Sequence, residues 1–226
     1  MRGLFVTGTG TGVGKTIVSA ALLAAMRAAG EQVRAYKPVV TGLAEPPGAW
    51  PPDHELLGLA AGMAPEEVAP LRFGPAVSPH LAGSLANEPI GAATLVERAW
   101  ATASADETLI VEGVGGLLVP LADDFTVRDL AVELALPLLI ATSPGLGTIN
   151  HTLLTIEAAR AVGLSVAAVV LTPWPSEPSQ MERSNRETVA RLGTIEVATL
   201  DGIASPDIAN LVGLGERVPW RDWLTR

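Results

Sequence analysis

Residues 3–16 read Gly3-Leu-Phe-Val-Thr-Gly-Thr-Gly-Thr-Gly-Val-Gly-Lys-Thr16, a short apolar run followed by a loop in which every second residue is glycine. The apolar run predicts a buried strand, and Ile17 to Ala29 predicts a helix that Gly30 ends. This arrangement suits a polyphosphate, because loop N–H groups and the helix N-terminus can meet phosphate oxygens. Lys15 would reach the outer phosphates and Thr16 would bind Mg²⁺. We favour this interpretation over a glycine-rich turn that happens to precede a helix.

The composition is that of an ordinary globular protein and excludes several function classes. The length of 226 residues suits one domain spanning residues 1–226. Hydrophobic residues make up 48% of the chain, as in ordinary globular proteins. A net charge of −9 gives no general attraction to nucleic acid or anionic membrane. The absence of cysteine excludes disulfides, thiolate metal sites and cysteine nucleophiles. No signal peptide or bilayer-spanning stretch is evident, so we expect a cytoplasmic protein with no membrane or nucleic-acid partner.

Short apolar strands alternate with helical segments along the chain. This pattern predicts an α/β fold with a mostly parallel sheet flanked by helices on both faces, in a single domain. Residues 41–52 and 173–178 read as loops, and residues 62–90 resist assignment. A tail with Trp220 and Trp223 predicts a final short helix packed on the core. The predicted strands are 3–7, 32–40 (broken by Pro38), 108–111, 137–141, 165–171 and 195–199, and the other predicted helices begin at Asp53 or span 94–104, 127–134, 150–162 and 180–192.

In parallel sheets of this kind, ligands bind beyond the carboxyl ends of the strands. Lys37 and Glu112 both lie at such ends. A second lysine near the γ-phosphate would stabilise a transferring phosphoryl group, and a strand-end acid would face the metal. Asp53 can either cap its helix or bind Mg²⁺. Solvent-exposed side chains are the alternative for Lys37 and Glu112, and we favour the functional role for both.

Other polar residues give weaker signals. Gly145 to Asn150 precedes a helix, so its N–H groups could receive a carboxylate or phosphate, or the glycines could form only a tight turn. His54, His80 and His151 have no metal-ligand spacing, and each is expected to be a hydrogen-bonding scaffold residue. No GxSxG or other nucleophile arrangement is present.

Five motifs in register resemble the dethiobiotin synthetase family, the ATP-dependent enzymes of biotin synthesis. They run from residue 4 to about residue 155 in the order of the family, and the remaining third fits loosely. One such motif would be weak evidence, whereas five in register are specific. The motifs are Val6–Thr16, Lys37–Val39 with Thr41-Gly42, Ser78–His80, Val111–Gly113 with Gly115-Gly116, and Gly147–His151.

The resemblance implies a P-loop NTPase fold and a particular reaction. CO₂ adds to an amine of 7,8-diaminopelargonate, the carbamate takes the γ-phosphate of ATP, and the second amine closes the ring with loss of phosphate. It also implies Mg²⁺ as cofactor and a two-fold homodimer with substrate at the interface, where Asn150 would meet the substrate carboxylate from the partner subunit. By resemblance, Lys37 and Lys15 are catalytic; Thr16, Asp53 and Glu112 bind the metal; Thr41, Gly147, Thr148 and Asn150 bind substrate; and the nucleotide is bound by Gly12, Val13, Gly14, Lys15, Thr16, Ile17, Asp53, Glu112, Gly113, Val114, Gly115, Thr172, Pro173, Trp174, Leu200, Asp201 and Gly202.

The chain departs from the family pattern at two places. Gly12 stands where well-studied relatives carry an acid. Thr172-Pro173-Trp174-Pro175 stands where they read adenine with an asparagine, so Trp174 would either stack on the base or pack.

Two other classes share the glycine-loop core. Switch ATPases of the partitioning or septum-site type use a second lysine five residues before Lys15, where this chain has Gly10. Amide ligases of the cobyrinate-synthase type need a cysteine, and this chain has none.

Overall fold

Strand β1 (Arg2–Gly8) lies at the interior of the fold in the computed structural model, which describes residues 2–46, 48 and 50–225. Gly3 to Gly8 are all buried. The reason is that a parallel strand pairs with each edge of β1, namely β5 (Thr108–Glu112) and β8 (Leu138–Thr142). A strand covered on both faces needs no polar alternation, which explains the continuous apolar run in the sequence.

The main sheet of the described chain has six strands, all parallel, in the order β10-β9-β8-β1-β5-β2. The remaining members are β2 (Val33–Tyr36), β9 (Val166–Trp174) and β10 (Val197–Asp201). The register places Val6 of β1 opposite Glu112 of β5, so the phosphate loop and Glu112 emerge at the same edge. The predicted α/β class with a mostly parallel sheet is confirmed.

Helices cover both faces of this sheet. One face carries α1 (Lys15–Ala28), α2 (Asp53–Ala61), α9 (Ile208–Gly215) and α10 (Trp220–Trp223), and the other carries α5 (Ala92–Thr102), α6 (Val127–Leu134), α7 (Thr148–Arg160) and α8 (Gln180–Gly193). Each layer buries its own apolar cluster against the sheet. Trp220 and Trp223 are buried in the first cluster, as the sequence predicts. None of the helices in the described residues is long and apolar enough to cross a membrane.

Several predicted boundaries are wrong. The predicted break at Pro38 is confirmed, but the second part of the strand predicted over 32–40, β3 (Val39–Val40), leaves the main sheet to pair with β4 (Leu71–Arg72). Residues 173 and 174, predicted as loop, extend β9, and the strand predicted over 195–199 lies at Val197–Asp201. Residues 47 and 49 of the loop predicted over 41–52 lie outside the described residues. The segment 62–90 also forms α3 (Pro65–Val68) and α4 (Pro79–Leu85), and Pro120–Ala122 pairs with Phe125–Thr126 in a small hairpin.

Helix α9 is absent from the sequence prediction because its glycines disfavour a helix locally. Tertiary packing overrides this preference. Gly215 lies so close to α1 that a Cβ there would fall 2.1 Å from the carbonyl oxygen of Ala21. Glycine thus permits a close helix–helix contact that any side chain would prevent.

Candidate functional site

The phosphate loop (residues 9–14) joins β1 to α1 as the sequence predicts. Gly14 is the N-cap of α1 with φ at 91°, a left-handed conformation that favours glycine. A Cβ at Gly14 would also fall 2.4 Å from Cγ2 of Thr172. No side chain caps α1, so its first N–H groups can donate to phosphate oxygens. The Lys15 ammonium folds back over the loop and donates to the carbonyl of Gly10 at 2.8 Å.

Four side chains from four separate segments meet beside this loop, and we call them the lysine–carboxylate cluster: Thr16, Lys37, Asp53 and Glu112. The Lys37 ammonium lies 2.6 Å from Oε1 of Glu112 and 3.0 Å from Oδ2 of Asp53. The Thr16 hydroxyl lies 2.9 Å from Oδ1 of Asp53 and 3.0 Å from Oε1 of Glu112. Its single proton is therefore shared between two carboxylates. All four were predicted as site residues, and the fold brings them together.

The cluster is charged, and its Lys37–Glu112 pair is removed from solvent, whereas the Asp53 side chain is nearly half exposed. Lys37 is 3% exposed and Glu112 is fully buried. Burial by itself would lower the pKa of Lys37, but Glu112 and Asp53 raise it above its ordinary value. Burial would likewise raise the pKa of Asp53, but Lys37 and the hydrogen bonds from Lys37 and Thr16 hold it below its ordinary value. The cluster therefore holds one ammonium and the Asp53 carboxylate in charged form.

Lys15 behaves in the opposite way. Its burial, and next the positive charge of Lys37, lower the pKa of Lys15 to about 8. Glu112 and Asp53 oppose this shift but do not cancel it. Within the described residues Lys15 has no direct carboxylate partner, so it is suited to receive an anion, because phosphate oxygens would restore its charged form.

The residues present fit a Mg²⁺ ion. Oε2 of Glu112 is buried and has no hydrogen-bond partner among the described residues, which a metal ligand position would explain. With Thr16 and Asp53 it offers the oxygen donors that Mg²⁺ prefers. The described residues contain no group of three or more His, Cys, Asp or Glu side chains that could hold a metal. Water and the oxygens of a bound phosphate would therefore have to supply the remaining ligands, as is usual for Mg²⁺.

A cleft of about 830 Å³ opens over the phosphate loop and the lysine–carboxylate cluster. Thr41, a predicted substrate ligand, lines it together with Val114 and Gly115. Its outer wall is apolar and includes Trp50, which no motif singled out. Val39 and Pro79, which belong to the quoted motifs, also line the cleft, and only the tertiary arrangement identifies further apolar lining residues such as Val40, Leu56 and Val77.

The N-terminus of α7 lies away from this cleft. Gly147 is its N-cap, and no side chain caps the helix. Thr148, predicted to bind substrate, is buried and bonded to other threonines, so only its backbone is placed to meet a ligand. Asn150 is exposed on the first turn, and Leu146 before it is 95% exposed. An apolar cavity of about 480 Å³ lies between the phosphate loop and this helix, lined by Leu117, Leu118, Val119, His151, Leu154 and Ala158 among others.

The residues predicted to face the nucleotide base lie at the ends of β9 and β10. Thr172 is buried against Gly14. Trp174 is half-buried and packs on the apolar cluster of the opposite sheet face, which supports the packing alternative for this side chain. Its carbonyl accepts from the Gly202 N–H at 3.3 Å, and Asp201 forms an ion pair with Arg217. Leu200 is buried in the core, so it can offer only its backbone to a ligand.

The expectation that the histidines are hydrogen-bonding scaffold residues is wrong for Nδ1 of His54 and His80. Nδ1 of both His54 and His80 is buried without a hydrogen-bond partner among the described residues. Burial lowers the pKa of His54, so it is neutral at physiological pH. His151 lines the apolar cavity beside α7.

Comparisons with known proteins agree on one family. A family model described as an AAA domain matches residues 2–200. The ATP-dependent dethiobiotin synthetase BioD of Anaeromyxobacter sp. (strain Fw109-5) is 43% identical over 206 residues, covering 86% of this chain and 91% of that protein. Proteins of the same name from Mycobacterium sp. (strain JLS) and Mycobacterium marinum are 41% and 38% identical, covering 91% and 99% of this chain and 90% and 98% of their own lengths.

Proposed function

Because the chain belongs to the dethiobiotin synthetase family, as its motifs predict, we propose that it converts 7,8-diaminopelargonate, CO₂ and ATP to dethiobiotin, ADP and phosphate. The observation that best supports this is the convergence of Lys15, Lys37 and Asp53 on one cleft, with the buried Glu112 paired to Lys37. A simple ATPase has no evident need for a second buried lysine at this place.

The proposed reaction has three steps. One amine of the substrate attacks CO₂ and loses a proton, giving a carbamate. A carbamate oxygen then attacks the γ-phosphorus of ATP, the bond to ADP breaks, and a carbamic-phosphoric anhydride forms. The second amine attacks the carbonyl carbon, loses a proton, and inorganic phosphate leaves with the C–O bond electrons. The enzyme is thus a cyclo-ligase that forms two C–N bonds.

The two lysines have distinct proposed tasks. Lys15, with residues Gly12 to Ile17, binds the β- and γ-phosphates. Lys37 stabilises the carbamate and the negative charge on the phosphoryl group during transfer. Thr41 contacts the diamine or the carbamate, since it lines the same cleft.

Thr16, Asp53 and Glu112 hold the metal. When bound, Mg²⁺ supplies charge neutralisation at the β- and γ-phosphate oxygens. Oε1 of Glu112 and Oδ2 of Asp53 now bind the Lys37 ammonium. A metal held by these two carboxylates would therefore compete with the Lys37 ammonium for their oxygens, while Lys37 also faces the proposed carbamate position in the same cleft.

The substrate carboxylate is proposed to bind at the N-terminus of α7, through Asn150 and the N–H groups after Gly147. In the family's two-fold dimer this helix serves the partner's active site. The apolar surface around Leu118, Leu146 and Leu154, each more than half exposed, is the proposed dimer contact. Burying an apolar surface of this kind is favourable. A second copy of the chain, related by two-fold symmetry, would bury it against the same surface of its partner.

The nucleotide base is proposed to lie between the phosphate loop and the ends of β9 and β10. The segments concerned are Thr172–Trp174 and Leu200–Gly202, which a backbone hydrogen bond from Gly202 to Trp174 joins. Gly113 to Gly115 would complete the phosphate side. ATP is the proposed nucleotide by family membership.

One assay tests the proposal. The protein is incubated with 7,8-diaminopelargonate, bicarbonate, Mg²⁺ and ATP, and dethiobiotin and ADP are measured by mass spectrometry and a coupled assay. Stoichiometric formation of both supports the function, and ADP release without dethiobiotin refutes it. The switch-ATPase alternative predicts nucleotide-dependent binding to DNA or lipid vesicles instead, and Gly10 at the position of that class's second lysine argues against it.

A further inference from the structure

Four threonine hydroxyls form a buried chain beneath the phosphate loop. Oγ1 of Thr142 lies 2.9 Å from Oγ1 of Thr9 and 2.9 Å from Oγ1 of Thr148. Thr152 donates to Thr142 at 3.4 Å and lies at the same distance from Thr148. Thr142, Thr148 and Thr152 are each at most 3% exposed, so water does not compete for the bonds among these three, whereas Thr9 is partly exposed.

Thr142 is the junction of this chain. A hydroxyl has one proton to donate and two lone pairs to accept, and Thr142 has three hydroxyl neighbours. Its hydrogen-bonding capacity is therefore fully used. Removing the Thr142 hydroxyl would leave the hydroxyls of Thr9 and Thr148 without their shared partner.

The hydrogen-bonded threonines join two parts of the site that are far apart in sequence. Thr9 is the first residue of the phosphate loop, and 133 positions separate it from Thr142. Thr148 is the first residue of α7. The loop between Thr142 and Thr148 is held from its other side by Asn185 of α8, which donates to the carbonyls of Pro144 and Gly145 at 2.9 and 3.2 Å. The N-terminus of α7 is thus attached to the phosphate loop on one side and to α8 on the other.

Burial alone does not explain these hydroxyls. Thr7 and Thr108 are buried in neighbouring strands, and their Oγ1 atoms have no hydrogen-bond partner among the described residues. The sheet therefore accommodates a threonine without a bonded hydroxyl. The Thr142 chain is a specific connection rather than a requirement of the core.

We propose that Thr142 is a positioning residue that couples the phosphate loop to the N-terminus of α7. This rests on the proposed function, in which α7 receives the substrate carboxylate. An occupied phosphate loop orders Thr9, and Thr142 transmits that order to Thr148. In the proposed dimer, α7 serves the partner's site, so the coupling connects the nucleotide of one site with the diamine of the other.

Hydrogen exchange tests the coupling without needing turnover. Amide exchange at the first turn of α7 is measured with and without a non-hydrolysable ATP analogue. We expect the analogue to slow exchange there about threefold in the wild type, not at all in Thr142→Val, and as in the wild type in Thr142→Ser. Protection of the phosphate loop should persist in all three proteins. An unaffected α7 in the wild type, or an unchanged response in Thr142→Val, would overturn the proposal.

Kinetics test the consequence for the substrate. Thr142→Val should raise KM for 7,8-diaminopelargonate roughly three- to tenfold, with kcat and the KM for ATP changed less than about twofold. The KM for 2,3-diaminononane, the same diamine with a methyl group in place of the carboxylate, should not change. Equal rises for both diamines, or a failure of Thr142→Ser to restore KM, would contradict a positioning role. Thr148→Val breaks the same chain from its other end and should give the same pattern.

The matched control is Thr108→Val, which removes an unbonded buried hydroxyl at the opposite edge of the sheet. It should leave both the exchange response and the kinetics unchanged. If the wild-type protein makes no dethiobiotin, the proposed function fails. The exchange experiment still decides whether Thr142 couples the two segments.

Discussion

The Lys37 ammonium and Oε1 of Glu112 lie 2.6 Å apart in a part of the protein where Glu112 has no solvent exposure and Lys37 has 3%. Each charge is costly to bury alone, and each makes the other tolerable. The ion pair also joins Lys37, the proposed catalytic lysine, directly to Glu112, a proposed metal ligand. The stability of the protein and its chemistry are therefore connected through the same two side chains.

Replacing Lys37 should abolish most turnover without preventing nucleotide binding. In Lys37→Met we expect kcat to fall by about 10²–10³, because a cation that stabilises the transferring phosphoryl group is lost. The dissociation constant for ATP, measured by calorimetry, should change little, since Lys15 and the loop remain. Arg34→Met is the matched control, as Arg34 lies on β2, just before Lys37 in the chain, and pairs with Glu107 nearer the surface. Near-normal turnover in Lys37→Met would remove Lys37 from the mechanism.

The same variant should bind a divalent ion more tightly. In the wild type the Lys37 ammonium competes for the oxygens of Asp53 and Glu112. Without nucleotide, Mn²⁺ should bind Lys37→Met on the order of tenfold more tightly than the wild type, because the competing cation is gone. Paramagnetic resonance of free Mn²⁺ measures this directly. Equal or weaker affinity in the variant would refute competition between the Lys37 ammonium and a metal ion for these carboxylates.

Neutralising Glu112 should destabilise the fold. Glu112→Gln leaves a buried ammonium with Asp53 as its only carboxylate partner in the described structure, and we expect a loss of about 3 kcal/mol in the free energy of unfolding. Urea denaturation without ligands measures the loss. Glu107→Gln should cost less than about 1 kcal/mol, because its pair with Arg34 lies near the surface. Similar losses in the two variants would show that the buried pair has no special role.

Nucleotide binding should weaken above pH 8. The pKa of Lys15 is about 8 in the free protein, so its positive charge is lost as the pH rises through that value. Bound phosphates favour the charged form and raise this pKa, so binding above pH 8 takes up a proton. The dissociation constant for ATP should then rise by up to about tenfold per pH unit.

Lys15→Arg separates this effect from general pH sensitivity. Arginine stays charged throughout the range, so the variant should bind ATP with little change between pH 7.5 and about 9.5. Calorimetry in buffers of different ionisation enthalpy counts the protons taken up. A pH dependence shared by both proteins would assign it to another group.

A charge on the apolar surface beside α7 should separate the proposed dimer. Leu154→Asp places a carboxylate where a second copy would bury it, so light scattering should report a monomer. Turnover should fall because the dimer is lost, whereas ATP binding should persist. Leu59→Asp is the control, because Leu59 is similarly exposed on α2 at the other sheet face. A wild-type monomer with full activity would refute the dimer.

The roles of residues 3–16 and of the motifs after the strands could be predicted because each depends on residues that lie close together in the sequence. A glycine loop, a following Lys-Thr pair and a helix must be adjacent in the chain to bind phosphate, so the sequence displays them together. Lys37 and Glu112 were found because parallel strands end at one edge, which makes strand-end residues candidates. The apolar wall with Trp50, the α9 packing at Gly215 and the role of Asn185 left no comparable signal.

The sequence by itself determined the fold class, the phosphate loop and the candidate residues at the strand ends, since each depends on short-range pattern and residue chemistry. Only the tertiary structure decided which of them meet. Lys37 and Glu112 are 75 positions apart, and Thr9 and Thr142 are 133 apart. Contacts over such separations depend on the order and register of the strands in the sheet. The sequence of one apolar strand does not specify its neighbours or its register, because the strands are similar in composition.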